Sequence, residues 1–264
     1  MKGNGYNCKL PDVKEIKRLY DKDLSCEKIA TMYGVTKSAV HRKFKRHNIK
    51  LRSRSDAQKI NANEFKIEEG FLDFINGLLL GDGSLVQARH KKSCWYSHAD
   101  KRKEYLIWLK TNLERFGLKI PEIREDVRDK GVYFYLHSIS YRTLAPLRDI
   151  WYPYGKKRTP RDIVITPITL FNWYIGDGHY NPPQKLNGRR GEQVTISMLY
   201  DLDGRQLLSD KLKAIGIQNS VHTKCIYIKA ESKEKFFRYI INHNYGIPSC
   251  YEYKFPERYC NGVT

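Results

Sequence analysis

Residues 74–84 read Phe-Ile-Asn-Gly-Leu-Leu-Leu-Gly-Asp-Gly-Ser, an apolar run of helical length that ends in Gly-Asp-Gly. The pattern returns ninety-five positions further on, where residues 169–180 read Thr-Leu-Phe-Asn-Trp-Tyr-Ile-Gly-Asp-Gly-His-Tyr. Similarity between two segments at a fixed spacing indicates a duplicated structural unit. An aspartate at the end of an apolar helix is poorly placed for a hydrophobic core, but it is well placed to hold a cation where two such helices meet. We therefore expect Asp82 and Asp177 to lie side by side.

The segments after the two motifs repeat the same order of elements. Each apolar helix is followed by two strands, an amphipathic helix, a second strand pair and a closing helix; Gly117 and Gly216 are expected to end the amphipathic helices. The predicted elements of the first copy are strands 84–90 and 93–98, helix 101–116, strands 119–127 and 132–138, and helix 141–150. Those of the second copy are strands 179–185 and 192–199, helix 203–215, strands 217–223 and 225–230, and helix 232–244.

This order predicts an α+β protein with two pseudo-symmetric αββαββα repeats, residues 66–160 and 161–264. Alternating apolar and polar residues give each antiparallel sheet one face covered by helices and one open polar face. The residues expected on the open faces are Gln87, Arg89, Lys91, Lys92, Arg189, Arg190, Gln193, Thr195 and Lys224. Two such sheets side by side form a basic saddle wide enough for a groove of duplex DNA.

Residues 1–50 have the spacing of a helix-turn-helix domain. Ala30 lets two helices cross closely, Gly34 can take the turn conformation, and Val40 anchors the third helix, which runs from Lys37 to His47. Because this helix is strongly basic on its outer side, it suits the major groove of DNA. The residues expected to contact DNA are Lys37, Ser38, His41, Arg42 and Lys45. A plain three-helix packing unit is the alternative interpretation.

The charge of the chain indicates a polyanionic partner. Lys and Arg number 48 against 29 Asp and Glu, which gives a net charge of +19, and the basic residues are spread along the whole chain. Residues 51–65 are predicted to be a basic linker in which Arg52 and Arg54 follow phosphates. No apolar run approaches the roughly 20 residues of a membrane helix, and no signal segment is evident. We therefore expect an intracellular protein of the cytoplasm, nucleoid or organelle matrix, with no membrane partner.

The paired apolar helices that end in Gly-Asp-Gly resemble the LAGLIDADG homing endonuclease family in its single-chain, two-repeat form. Three further segments match the family's order: Ile165-Thr166-Pro167, Gly155-Lys156-Lys157-Arg158-Thr159-Pro160, and Ile247-Pro248 followed by Tyr253-Lys254-Phe255-Pro256. The resemblance covers roughly residues 66–260. It implies a monomeric endonuclease that cuts both strands of double-stranded DNA at a long, weakly symmetric target.

The resemblance also implies the parts of an active site. Asp82 and Asp177 would hold a metal ion, and the backbone carbonyls of Gly81 and Gly176 would add ligands. Lys157 and Lys254 match the basic residues beside each metal centre and are expected to act in catalysis. Because hard carboxylate ligands suit Mg²⁺, this is the expected metal; Mn²⁺ is expected to substitute, and Ca²⁺ to bind without supporting cleavage. The alternatives are structural helix-end carboxylates for the aspartates and simple phosphate contacts for the lysines.

The sequence departs from the family pattern at three positions. Leu80 and Ile175 stand where many members carry a further acidic residue, and Asn172 stands where a small residue is expected at the helix crossing. The asparagine either loosens the crossing or makes a hydrogen bond across it. Two other functions stay open: a transcription regulator that binds DNA without cutting it, and an RNA maturase that helps an intron to fold.

Overall fold

The computed structural model describes residues 10–22, 24–53, 63–88, 93–129, 131–183 and 191–260. Its contacts divide the chain into two compact units, Met1–Ala62 and Asn63–Thr264, so both predicted repeats belong to the second unit. The linker predicted at 51–65 spans the boundary between them. Within the described ranges, none of the helices has the length and apolar character that crossing a membrane requires.

The first unit contains three short helices. They are α1 (Val13–Asp21), α2 (Cys26–Met32) and α3 (Lys37–Arg46). The Asp12 carboxylate accepts a hydrogen bond from the Val13 amide, and the Ser25 hydroxyl accepts one from the Lys28 amide. Thr36 caps α3 in the same way as Ser25 caps α2. These side chains satisfy amides that the first turn of a helix leaves without partners.

A small hydrophobic core holds the three helices together. Its fully buried side chains are Ile16, Ile29, Val40 and Phe44. Ala30 is 3% exposed, and Gly34 has a φ of 62° in the turn before α3. The predicted packing roles of Ala30 and Val40 and the turn at Gly34 are therefore confirmed, whereas α3 ends one residue earlier than predicted.

The second unit contains six helices and eight strands among its described residues. The helices are α4 (Phe71–Leu80), α5 (Lys103–Arg115), α6 (Ala145–Trp151), α7 (Pro167–Asp177), α8 (Leu202–Ala214) and α9 (Lys233–Ile240). The strands are β1 (Ser84–Gln87), β2 (Cys94–Asp100), β3 (Arg124–Arg128), β4 (Gly131–His137), β5 (Gly178–Asn181), β6 (Gln193–Ser197), β7 (Asn219–Val221) and β8 (Cys225–Ile228). Short 3-10 turns lie at Pro153–Gly155 and Ser249–Lys254.

The strands form two antiparallel sheets of equivalent topology, β1-β2-β4-β3 and β5-β6-β8-β7. This confirms the predicted α+β fold with two duplicated sheets. The apolar sides of both sheets share one core with α4 and α7, which are buried along most of their length. The Thr166 hydroxyl accepts a hydrogen bond from the Thr169 amide at the start of α7. As predicted, Gly117 and Gly216 lie where α5 and α8 end, with φ angles of 85° and 80°.

Several predicted boundaries were too wide. The strand predicted from residue 119 begins at Arg124, because it is preceded by Pro121, which has no amide to donate to a strand partner. The helix predicted from residue 141 begins at Ala145, since the Tyr141 amide instead donates to the Cys94 carbonyl oxygen. The final helix ends at Ile240 rather than 244, and the strand predicted at 217–223 is confined to Asn219–Val221.

Candidate active site

Helices α4 and α7 cross closely at Gly77, where the absence of a side chain makes room for the partner helix. A Cβ atom on Gly77 would overlap the Thr169 carbonyl oxygen and lie 2.8 Å from the Cβ of Asn172. Asn172 reaches across the crossing, and its Nδ2 donates a hydrogen bond of 2.9 Å to the Phe74 carbonyl oxygen. The Thr169 hydroxyl donates a second cross-helix bond, of 3.0 Å, to the Asp73 carbonyl oxygen. Hydrogen bonds as well as close packing therefore fix how the two helices meet.

Beyond this crossing, the two Gly-Asp-Gly ends touch. A Cβ atom on Gly176 would lie 3.3 Å from the Gly81 Cα and 3.4 Å from the Asp82 amide nitrogen. The two ends are not identical: Asp177 is the last residue of α7 and is half-buried, whereas Asp82 follows the end of α4 and is exposed. The structure thus places both predicted aspartates at the same end of the helix pair.

The surroundings of Asp177 oppose its negative charge. Burial raises the pKa of the Asp177 carboxyl to about 7, and the Asp82 charge raises it too, while Lys157 and Lys254 act in the opposite direction. Two carboxylates that repel each other become stable in their charged forms when a cation shares them. The electrostatics of the helix ends therefore favour a bound cation.

Lys157 lies beside this pair, in the segment that follows α6. Its Nζ donates hydrogen bonds to the carbonyl oxygens of Gly81 (2.8 Å) and Gly83 (3.0 Å). The same Nζ lies 4.7 Å from the centroid of the Tyr200 ring. Burial lowers the pKa of Lys157 to about 8, against the effect of the two aspartates. The first repeat thus presents a lysine to the end of its own motif helix.

Lys254 occupies the equivalent place in the second repeat. Its Nζ donates hydrogen bonds to the carbonyl oxygens of Ile175 (2.6 Å) and Gly176 (3.2 Å), and it lies 4.9 Å from the centroid of the Tyr251 ring. Only 7% of the residue is exposed, and burial lowers the pKa of Lys254 to about 8. Each motif end therefore has one aspartate and one lysine, of which Lys254 is buried and Lys157 is half-buried.

The donor atoms at the helix ends fit a hard divalent cation. Mg²⁺ is usually bound by one or two carboxylates together with waters and substrate phosphates, and the two aspartates supply that number. The carbonyl oxygens of Gly81 and Gly176 accept lysine hydrogen bonds, but each carbonyl oxygen has two lone pairs. In the part of the chain that the structure describes, no cluster of three or more His, Cys, Asp or Glu side chains offers another metal site.

The open face of the first sheet carries aromatic and basic side chains. Trp95, Tyr133 and Tyr135 lie on this face of β2 and β4, and Arg124 and Arg128 lie beside them on β3. The Arg128 guanidinium lies 5.5 Å from the centroids of both tyrosine rings. Aromatic rings and guanidinium groups can contact bases and phosphates respectively, so this face is suited to nucleic acid.

The second sheet has a smaller, polar open face. Thr195 pairs with His179 and Tyr227 across three neighbouring strands, and Gln193 begins β6 with its side chain exposed. Lys224 is exposed in the turn between β7 and β8. All three residues predicted for this sheet and described by the structure thus reach its open side or its edge turn.

Gln87 does not lie on the open face, so this prediction was wrong. It pairs with Cys94, and residues two positions away in the register, Leu85 and Tyr96, are buried against the helices. Because side chains of a strand alternate between the two faces, Gln87 shares the covered face with these residues. The predicted contacts Arg54, Arg89, Lys91, Lys92, Arg189 and Arg190 lie outside the described residues.

The first unit presents its predicted DNA contacts on one helix. Lys37, Ser38, Arg42 and Lys45 are exposed on α3, and His41 is half-buried. Arg52 differs, because it packs back onto the unit: its guanidinium lies 3.9 Å from the Tyr20 ring centroid and donates to the Leu24 carbonyl oxygen. The structure therefore shows a packing role for Arg52, and its predicted phosphate contact stays a prediction.

The sequence interpretation missed the residues that hold the two lysines. Tyr200 and Tyr251 pack on the lysine side chains, while Asp100 and Asp201 accept hydrogen bonds from the segments that carry them. Asp100 is the last residue of the second strand of the first repeat, and Asp201 lies between the corresponding strand of the second repeat and its amphipathic helix. Their similar places in the two repeats are the sequence signal that could have identified these aspartates.

Comparisons with known proteins found a matching family, a related sequence and similar folds. Residues 72–236 match the LAGLIDADG DNA endonuclease family. An uncharacterized protein of Methanocaldococcus jannaschii is 31% identical over 198 residues, which are 73% of this chain and 74% of that protein.

The fold is similar to that of a solved structure, the homing endonuclease I-WcaI bound to its DNA recognition sequence. The TM-score is 0.61 at 18% identity, over 80% of this chain and 96% of that chain. A weaker likeness, with a TM-score of 0.45 at 16% identity, is to an I-DmoI variant in complex with its target DNA in the presence of manganese. It covers 67% of this chain and 96% of that chain.

Proposed function

The chain belongs to the LAGLIDADG DNA endonuclease family, and we propose that it is a site-specific endonuclease that cuts both strands of a long, weakly symmetric DNA target with Mg²⁺. The proposal concerns the activity and the residues that perform it. Cutting two strands requires two sets of reactive groups close together, and the chain supplies one aspartate and one lysine from each repeat.

This duplicated set at the touching helix ends is the observation that carries the proposal. In the described part of the chain, no hydrogen bond to another residue satisfies the half-buried carboxylate of Asp177, although half-buried structural carboxylates normally have such partners. Asp177 and Lys157 are also held with pKa values of about 7 and 8, close to physiological pH. Perturbed groups that converge in this way are typical of functional sites.

The residues divide the chemistry of phosphodiester hydrolysis among them. Asp82, Asp177 and the carbonyls of Gly81 and Gly176 would hold a divalent cation, which supplies charge stabilisation and a more acidic bound water. Lys157 and Lys254 place positive charge beside the phosphates of opposite strands. With a pKa of about 8, each Nζ can hold or release a proton near neutral pH.

The target is held by the surfaces on either side of this site. The open faces of the two sheets offer side chains to the DNA grooves, and the net charge of +19 attracts the phosphate backbone. The exposed basic side of α3 adds a further contact that lengthens the target.

Cleavage-site selection from a random duplex library tests the proposal. Purified protein is incubated with the library in Mg²⁺, Mn²⁺ or Ca²⁺, and cut and bound molecules are sequenced separately. We expect one long site to be cut on both strands with Mg²⁺ or Mn²⁺, and the same site to be bound but uncut with Ca²⁺. Asp82→Asn and Asp177→Asn are expected to retain binding and lose double-strand cleavage, whereas Asp210→Asn on the exposed side of α8 cuts normally.

Three results would contradict the proposal. A single site that is bound in Mg²⁺ and never cut would favour a non-cutting regulator. Preferential binding of structured intron RNA over every duplex in the library would favour a maturase. Cleavage that persists in the Asp82→Asn, Asp177→Asn double variant would show that the proposed residues do not perform it.

A further inference from the structure

The two lysines proposed for the active site lie outside the α-helices and strands of their repeats. Lys157 follows the 3-10 turn Pro153–Gly155, and Lys254 is the last residue of the 3-10 turn Ser249–Lys254. A lysine side chain has several rotatable bonds and loses much entropy when it is held in one place. The position of each Nζ therefore depends on what anchors the backbone on which it is carried.

The segment of Lys157 is anchored by an aspartate from the second repeat. Asp201, which is 3% exposed, accepts a hydrogen bond from the Thr159 amide (2.7 Å) through one carboxylate oxygen and one from the Arg158 guanidinium (2.9 Å) through the other. A Cβ atom on Gly204 would overlap this carboxylate, so the missing side chain of Gly204 makes the room for it. The two residues after Lys157 are thus fixed to the loop between β6 and α8.

The segment of Lys254 is anchored by an aspartate from the first repeat. Asp100, at the end of β2, accepts a hydrogen bond of 2.5 Å from the Tyr251 hydroxyl and one of 2.7 Å from the Arg102 amide. The Arg102 guanidinium lies over the Tyr251 and Tyr253 rings, 4.8 and 5.3 Å from their centroids. The turn that ends in Lys254 is therefore fixed to the end of β2.

Because each repeat supplies the aspartate that anchors the lysine segment of the other, we propose that Asp201 and Asp100 are positioning residues for the lysines of the opposite repeat. Each lysine binds the motif helix of its own repeat, while its segment is fastened to the other repeat by a carboxylate. We call the pair the crossed anchors: Asp201 with Arg158 and Thr159, and Asp100 with Tyr251. The arrangement makes the position of each lysine depend on the correct docking of the two repeats.

Trace labelling of lysines tests the anchors without any assumption about cleavage. The metal-free full-length protein is acetylated at low reagent concentration, and each lysine is quantified by mass spectrometry. Because loss of a hydrogen bond to a charged group changes an equilibrium by about tenfold or more, Asp201→Asn should raise the labelling rate of Lys157 by about that factor and leave Lys254 unchanged. Tyr251→Phe should do the reverse, since it removes the hydroxyl and keeps the ring over Lys254.

Variants at the other side of each anchor separate positioning from misfolding. Arg158→Ala removes a half-exposed side chain and should reproduce the effect of Asp201→Asn on Lys157. Asp100→Ala removes the acceptor of the Tyr251 hydroxyl and should reproduce the effect of Tyr251→Phe on Lys254. Asp210→Asn and Tyr239→Phe are the matched controls: the first weakens and the second removes a hydrogen bond elsewhere in the unit, and both should leave the two lysines unchanged. A partly unfolded protein would label both lysines faster.

A second experiment rests on the proposed function, because it follows the cutting of each strand. On the selected target labelled on one strand at a time, Asp201→Asn should slow the cutting of one strand by about tenfold and Tyr251→Phe that of the other, so that nicked DNA accumulates. Equal slowing of both strands, or labelling rates that match the wild type at both lysines, overturns the crossed anchors. A wild type that cuts neither strand overturns the proposed function instead, and the labelling result still decides on the anchors.

Discussion

Burial and repulsion by Asp82 both raise the pKa of Asp177, one of the two carboxyls proposed to hold the metal ion. Its carboxyl has a pKa of about 7 in the folded protein, against 3.8 for the unperturbed group. Between these values the folded protein binds a proton that the unfolded chain has released, so stability falls as pH rises through this window. Below pH 3.8 both states are protonated, and above pH 7 the loss is complete and constant.

Replacing this carboxyl should remove its contribution to the pH dependence of the free energy of unfolding. We expect the free energy of unfolding of metal-free Asp177→Asn to exceed that of the wild type by an amount that grows between pH 5 and pH 7.5, with a slope of at most about 1.4 kcal/mol per pH unit. Urea denaturation in EDTA measures it, with Asp210→Asn as the exposed control. Adding Mg²⁺ at pH 7.5 should stabilise the wild type more than the variant. A difference that is flat across this range would contradict the raised pKa.

Single residues also show what the sequence could predict of the site. The pairing of Asp82 and Asp177 followed from two copies of one motif, since a repeat brings equivalent residues to one axis. The hydrogen bond of Asn172 across the helix crossing did not follow from the sequence. A polar residue at this position could equally well have loosened the packing of the two helices. The choice depends on whether a carbonyl oxygen such as that of Phe74 lies within reach, which is decided only by the packed structure.

At the scale of elements, the crossing of α4 and α7 depends on the absence of a side chain at Gly77. We expect Gly77→Ala to destabilise the protein by about 1–3 kcal/mol, because the new methyl group has no room beside the Thr169 carbonyl and the Asn172 Cβ. Chemical denaturation measures the change.

Gly176→Ala is the matched comparison for this crossing, since it adds the same methyl group to the partner helix. The nearest atoms there are 3.3 and 3.4 Å away, so a shift of a few tenths of an ångström accommodates it. We expect a smaller loss of stability than in Gly77→Ala. Equal stability of Gly77→Ala and the wild type would mean that the helices are free to separate at this point.

Elements also mark where sequence patterns stop being informative. The order and type of strands and helices in each repeat followed from hydrophobic periodicity, because that pattern states which side is buried. The ends of elements did not, since they depend on distant partners such as the Cys94 carbonyl that pairs with Tyr141. The prediction for Gln87 was wrong for the same reason. Its strand has only four residues, and the pairing with β2 is what shows that Gln87 lies on the covered face.

For the whole molecule, the distribution of charge separates two ways of binding DNA. Residues 1–62 carry sixteen Lys and Arg against six Asp and Glu, so less than a quarter of the chain supplies about half of the net charge of +19. The two units have separate hydrophobic cores among the described residues, so changes on α3 leave the core of the proposed nuclease unit intact. The basic surface of the first unit can therefore be tested without altering the active site.

Salt dependence of binding to the selected target measures the contribution of this surface. Full-length protein with Lys37, Arg42 and Lys45 all changed to Ala should bind more weakly, and its slope of log affinity against log salt should be shallower by about 3, because each lost phosphate contact removes about 0.9. The matched control changes Lys14, Lys17 and Arg18 on α1, which removes the same charge from another helix of the unit and should alter the slope much less. Equal effects of the two variants would mean that the unit attracts DNA through its net charge alone; a distinct effect of the α3 variant would show that this helix lies against the phosphate backbone.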